Sequence, residues 1–99
     1  MLMEIVLSEE KALENNYSIK KCYKKLDEYF ESKEIKKINE GVYQCEDFGK
    51  MSVAQIHLSY CDWFLKIVKE WFCRWESDDI EDREDCLVSF KKYGHLLNV

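Results

Sequence analysis

Proline is absent from this chain and glycine stands at only three positions, Gly41, Gly49 and Gly94. Proline fixes φ and removes a backbone donor, and glycine opens the left-handed region, so these two residues supply most of the punctuation a backbone uses. With so little of either, long uninterrupted helices are the expectation, and an all-β architecture, which needs many turns, is disfavoured. Length adds a second bound: 99 residues suit a single domain, residues 1–99, that buries about two-thirds of the surface its unfolded chain exposes. At 46% hydrophobic and 35% charged, the chain lies on the folded side of the boundary with disorder.

Along the chain, "MEIVLS" reads as a short first strand. Ser8 then caps a short helix, with Glu9 and Glu10 in its electropositive first turn. From Ser18 onward Ile19, Cys22, Tyr23, Leu26, Tyr29 and Phe30 recur at three-and-four spacing, the mark of an amphipathic helix. Ile35 and Ile38 extend that stripe, and Gly41 stands where a left-handed helix end would sit. "GVYQCEDFG" alternates as a strand or extended loop would, and its natural partner is Met3–Leu7.

The clearest periodicity lies in "SVAQIHLSYCDWFLKIVKEWFCRW", residues 52–75. Ser52 and Gln55 have capping-box spacing, and Val53, Ile56, Tyr60, Trp63, Phe64, Ile67, Val68, Trp71 and Trp75 follow at helical intervals. Leu58, Leu65 and Phe72 lie off this stripe, so the helix would be apolar around much of its circumference and need partners on more than one side. The expected fold is therefore mainly α: three to four helices around a central apolar helix at about 52–75. An α+β variant would add a two-stranded element pairing 3–7 with 42–46.

Seven of the ten positions from Glu76 to Asp85 are acidic, answered only by Arg83. Ser77 can cap a last helix with Asp78 and Asp79 in its first turn, followed by Ile80, Cys86, Leu87, Val88 and Phe90, with Lys91 and Lys92 in the last turn and Gly94 beyond. Helix electrostatics account for the first acids of this run. They do not account for Glu81, Asp82, Glu84 and Asp85, which repel one another.

Motifs for chemistry are weak. His57 and Cys61 are four apart on one helix and face one direction, but a zinc site would need two more ligands, from Cys73, Cys86 or His95, and a core reading of the cysteines is preferred. Five cysteines at irregular spacing, with no Cys-x-x-Cys pair, do not form a disulfide framework. Calcium is a poor fit, since "DDIEDREDCLVS" lacks the turn glycine and the final glutamate of an EF-hand loop. Neither a Walker loop nor a dinucleotide fingerprint occurs. No catalytic residue, metal or cofactor is expected, and the chain is not expected to be an enzyme.

A formal net charge of −5 opposes sequence-independent nucleic-acid binding, which needs many lysines and arginines on phosphates. The start lacks the features of a secretory signal, and no stretch approaches the roughly 20 apolar residues of a membrane span, so a cytoplasmic location is expected. The lysines of the second helix, Lys20, Lys21, Lys24 and Lys25, are interspersed with acids and read as a solvated face. An aromatic residue beside a band of carboxylates has the composition of a protein interface.

The functional expectation is a small acidic inhibitor that neutralises a basic protein by occlusion. The immunity protein or antitoxin of a nuclease toxin is one such protein; a phage or bacterial inhibitor of a nucleic-acid enzyme is another. Its partner-binding residues would be Trp75, Glu76, Asp78, Asp79, Glu81, Asp82, Glu84 and Asp85. The alternative is a self-associating assembly module, a homodimer built on Leu58, Leu65 and Phe72.

Overall fold

The computed structural model describes residues 1–77 and 79–89. Five strands form one antiparallel sheet, which overturns the mainly α expectation: the chain is α+β. Its elements are β1 (Leu2–Leu7), α1 (Glu9–Glu14), α2 (Ile19–Ser32), β2 (Lys36–Asn39), β3 (Val42–Gln44), α3 (Phe48–Ser59), α4 (Asp62–Ile67), β4 (Val68–Arg74), a 3-10 turn (Ile80–Asp82) and β5 (Glu84–Asp85). Residues 86–89 are helical. The strand order is β2-β3-β1-β4-β5. The expected pairing of 3–7 with 42–46 is present only in part, as a ladder of Leu2–Glu4 with Val42–Gln44 in which Met3 stands opposite Tyr43, within this larger sheet.

Helix ends explain how a chain without proline turns so often. After α1, Asn16 takes φ 58°, and the N–H groups of Tyr17 and Asn16 bond to the carbonyls of Ala12 (2.8 Å) and Leu13 (3.1 Å). After α2, Glu34 takes φ 61°, and Ile35 and Glu34 bond back to Phe30 (2.9 Å) and Glu31 (3.0 Å). Both are Schellman ends, the paired hydrogen bonds that satisfy the last carbonyls, built without glycine. Ile35 is then drawn into the core, so α2 stops well before Gly41. Gly41 instead turns β2 into β3 at φ +72°, its carbonyl accepting from Ile5 N at 2.7 Å.

The expected central helix over 52–75 is three elements. α3 begins earlier, at Phe48, because Asp47 rather than Ser52 is the cap, its Oδ1 accepting from Lys50 N at 3.2 Å. It ends at Tyr60, and Cys61 caps α4 in an extended conformation. From Val68 the chain is strand, Ile5 standing opposite Trp71 and Met3 opposite Cys73. Apolar residues here satisfy both periods, and pairing along β1 decides for the strand.

One buried cluster fills the space between sheet and helices. β1 contributes Met3, Ile5 and Leu7, β3 Tyr43, and β4 Trp71 and Cys73; α2 adds Cys22, Leu26 and Phe30, α3 adds Met51, Ala54 and Leu58, and α4 adds Phe64 and Ile67. Phe30 stacks on Tyr43 with centroids 3.9 Å apart, and Phe64 meets Trp71 edge-on at 5.1 Å. The other sheet face is mixed: Leu2, Val6 and Phe72 share it with charged groups, Arg74 Nε donating to Glu4 Oε1 at 2.9 Å and the Arg83 guanidinium lying 3.5 Å from the Phe72 ring centre. Among the described residues, no helix is long and apolar enough to cross a membrane.

Candidate protein-binding surface

α3 has two apolar sides. Met51, Ala54 and Leu58 point into the core. On the opposite side, at the same three-and-four spacing, Val53, Ile56 and Tyr60 stand 57%, 57% and 64% exposed, with small Gly49 and Ser52 preceding them. Only one side of a surface helix normally needs to be apolar. The helix's sole charged side chain, Lys50, is held by Glu34 at 3.1 Å, and the His57 ring lies flat on Tyr29 with centroids 4.1 Å apart.

Phe48 enlarges this surface at the start of α3. Its ring lies nearly parallel to the Trp75 indole, 14° apart with centroids at 6.1 Å, and the two residues are 56% and 44% exposed. Trp75 follows β4 directly and begins the acidic segment, so aromatic area and carboxylates meet here. A second tie lies along the helix: Gln55 Nε2 donates to Glu84 Oε1 at 2.9 Å and approaches Cys86 Sγ at 3.2 Å. The acidic segment therefore runs beside α3.

The carboxylates are not arrayed along a helix that begins at Ser77; that expectation fails. The segment is a turn, a 3-10 turn and a two-residue strand. Glu76 is occupied, accepting from the Met1 ammonium at 2.7 Å and from Gln44 at 3.1 Å. Those donors, the ammonium foremost, hold its carboxyl at about 2. Asp85 Oδ1 caps the helical residues that follow, accepting from Leu87 N (3.0 Å) and Val88 N (3.3 Å). Glu84 is bound to Gln55. Asp79, Glu81 and Asp82 are exposed and close together, with Asp82 N donating to Asp79 O at 3.0 Å. Asp78 lies outside the described residues, as do Phe90, Lys91, Lys92, Gly94 and His95 of the expected last helix.

The trio expected at a homodimer interface does not form a face either: Leu58 is buried, Leu65 is exposed on α4, and Phe72 lies under Arg83. Periodicity alone places Val53, Ile56 and Tyr60 in the core and Leu58 off it, which hides this surface. Two stripes of equal spacing share the helix, and the sheet selects Met51, Ala54 and Leu58. What the sequence does show is apolar residues on more than one side of this segment.

Other chemistry is limited. Cys61 Sγ lies 3.4 Å from His57 Nε2, but burial pushes the thiol up, so it stays protonated at neutral pH. Among the described residues no group of three or more His, Cys, Asp and Glu is placed to hold a metal. Comparison with protein-family models, curated proteins and solved structures finds no match for this chain.

Proposed function

We propose that the chain is a small binding protein that occludes a basic site on a partner protein, the role of an immunity protein, an antitoxin or another inhibitor of a nucleic-acid enzyme. The observation that carries this reading is the solvent-facing stripe Val53, Ile56 and Tyr60 on a helix that begins at the Phe48–Trp75 stack and is tied through Gln55 to Glu84 of the acidic segment. Large, stiff aromatics and aliphatics provide the buried contact of an interface. Charges at the rim, here Asp79, Glu81 and Asp82, steer encounter and select a cationic partner. Glu76 and Asp85 drop out of the contact set, because their carboxylates already serve the fold.

A second copy of the chain is the competing occupant of the same stripe. The net charge of −5 works against it, since like-charged rims repel on self-pairing. The test is affinity capture from the source cells at low and high salt, with wild type beside Asp79→Asn/Glu81→Gln/Asp82→Asn. A basic protein retained by wild type, released by salt and lost from the triple variant supports occlusion. A stable dimer in size exclusion, unaffected by the triple variant and capturing nothing, refutes it.

A further inference from the structure

We propose that Cys73 and Cys86 are a dithiol that a hydroperoxide converts into an intramolecular disulfide, closing the acidic segment into a covalent loop beside α3. This deepens the proposed binding surface by naming its regulation, but bond formation is tested with no partner present. Cys73 and Cys86 face each other across the β4–β5 hairpin with their sulfurs 3.5 Å apart, and are 3% and 0% exposed. Cys73 stands opposite Glu84 in the ladder, and just past β5 the chain turns into helix at Cys86, which is buried beside Cys73. Among the described residues this is the one pair of cysteine sulfurs in contact. A disulfide needs the sulfurs at about 2.05 Å, so they must close from the 3.5 Å at which they stand.

The chemistry balances with the peroxide as the only oxidant. Its contact with Cys86 and its burial push the Cys73 thiol up, so the attacking sulfur is that of Cys86, as the thiolate, once the hairpin opens: it attacks a peroxide oxygen, the O–O bond breaks, and a sulfenic acid forms with release of water or an alcohol. The second thiol attacks the sulfenic sulfur, the S–S bond forms, the S–O bond breaks, and water leaves with the second proton. In a reducing compartment the bond is transient, as expected of a sensor rather than a structural bridge. Access is through the hairpin. β5 is held to β4 by only two residue pairs, Phe72–Asp85 and Cys73–Glu84. The Cys86 sulfur is further held by Gln55. Opening of this short ladder exposes Cys86, and reclosing brings it back to Cys73. The loop then fixed holds Trp75 and the acidic turn, the groups assigned to partner contact, and preorganisation slows partner release.

The experiment uses the full chain, reduced, exposed to a small excess of hydrogen peroxide, quenched with N-ethylmaleimide and mapped by mass spectrometry without reductant. The expected product is a monomer about 2 Da lighter before alkylation. It carries alkylated Cys22, Cys45 and Cys61 and one peptide pair joined through Cys73 and Cys86, and dithiothreitol then releases two thiols, those of Cys73 and Cys86. Gln55→Ala, which frees the hairpin, forms the same bond several-fold faster. The inference is overturned if Cys73 and Cys86 are both alkylated while Cys45 or Cys61 oxidises, if other cysteines pair, or if the Gln55→Ala rate is unchanged. Because the map is made on wild type, its outcome depends neither on a cysteine variant that folds nor on any partner being found.

Discussion

Gln55 Nε2 donates to Glu84 Oε1 across 2.9 Å, joining the middle of α3 to the edge strand that ends the acidic run. The sequence distance between them is 29 residues, yet this contact, with the Phe48–Trp75 stack, turns two separate features into one surface: an uncharged helix face and a patch of carboxylates.

Removing that tie as Gln55→Ala loosens the acidic segment without damaging the core. A partly exposed hydrogen bond to a charged group contributes about 1 kcal/mol, so the melting temperature should fall only slightly. Amide hydrogen exchange over 75–86 should accelerate while α2 and β1 stay protected.

The two sides of α3 should respond differently to substitution. Val53→Asp and Ile56→Asp lie on the exposed side and should change stability by no more than about 0.5 kcal/mol. Met51→Ala, on the buried side, should cost about 2–5 kcal/mol, which for a domain of this size is a loss of roughly 8 °C or more in melting temperature.

Backbone conformation makes a paired prediction. Gly41 holds φ +72°, and a Cβ there would collide with the Ile5 carbonyl, so Gly41→Ala should cost at least about 2 kcal/mol. Glu34 holds φ 61° with a side chain, so Glu34→Gly should raise stability by up to about 1 kcal/mol, offset in part by loss of the exposed Lys50 pair. Thermal melts of the two variants should move in opposite directions.

Acid should weaken the fold partly through Glu76. Its carboxyl is held at about 2, below the ordinary 4.5, so the folded state favours the charged form. The contribution is complete above about 4.5 and is lost as pH falls from there toward about 2. Because Glu76 is well exposed, the loss should be below about 1 kcal/mol. Glu76→Gln should flatten the melting-temperature profile over this range and leave it nearly parallel to wild type above it.

Legibility in the sequence follows how local each determinant is. The Ser8 cap, the acidic first turn of α1 and the α2 stripe are readable because each depends on side chains a few residues apart. Gly41 is legible as a turning point but not as the turn of a hairpin, because nothing local marks Asn16 and Glu34 as left-handed helix ends. Residues 68–74 become a strand through pairing with β1, a partner more than sixty positions away. The candidate surface is half legible. Trp75 and the acids are visible as composition, whereas Phe48, Val53, Ile56 and Tyr60 are hidden by a second stripe of equal spacing. Which carboxylates the fold itself uses, Glu76 and Asp85, depends on donors brought from Met1, Gln44 and the backbone of 87–88.

The most direct test of the central claim is photo-crosslinking in the source cells, with p-benzoylphenylalanine at position 56 on the outer side of α3 and, as a control, at position 21 on exposed α2. Occlusion of a basic partner by this surface predicts an adduct with one basic protein from position 56, none from position 21, and loss of the adduct when Asp79, Glu81 and Asp82 are neutralised. No adduct at position 56, or equal labelling from both positions, would contradict it.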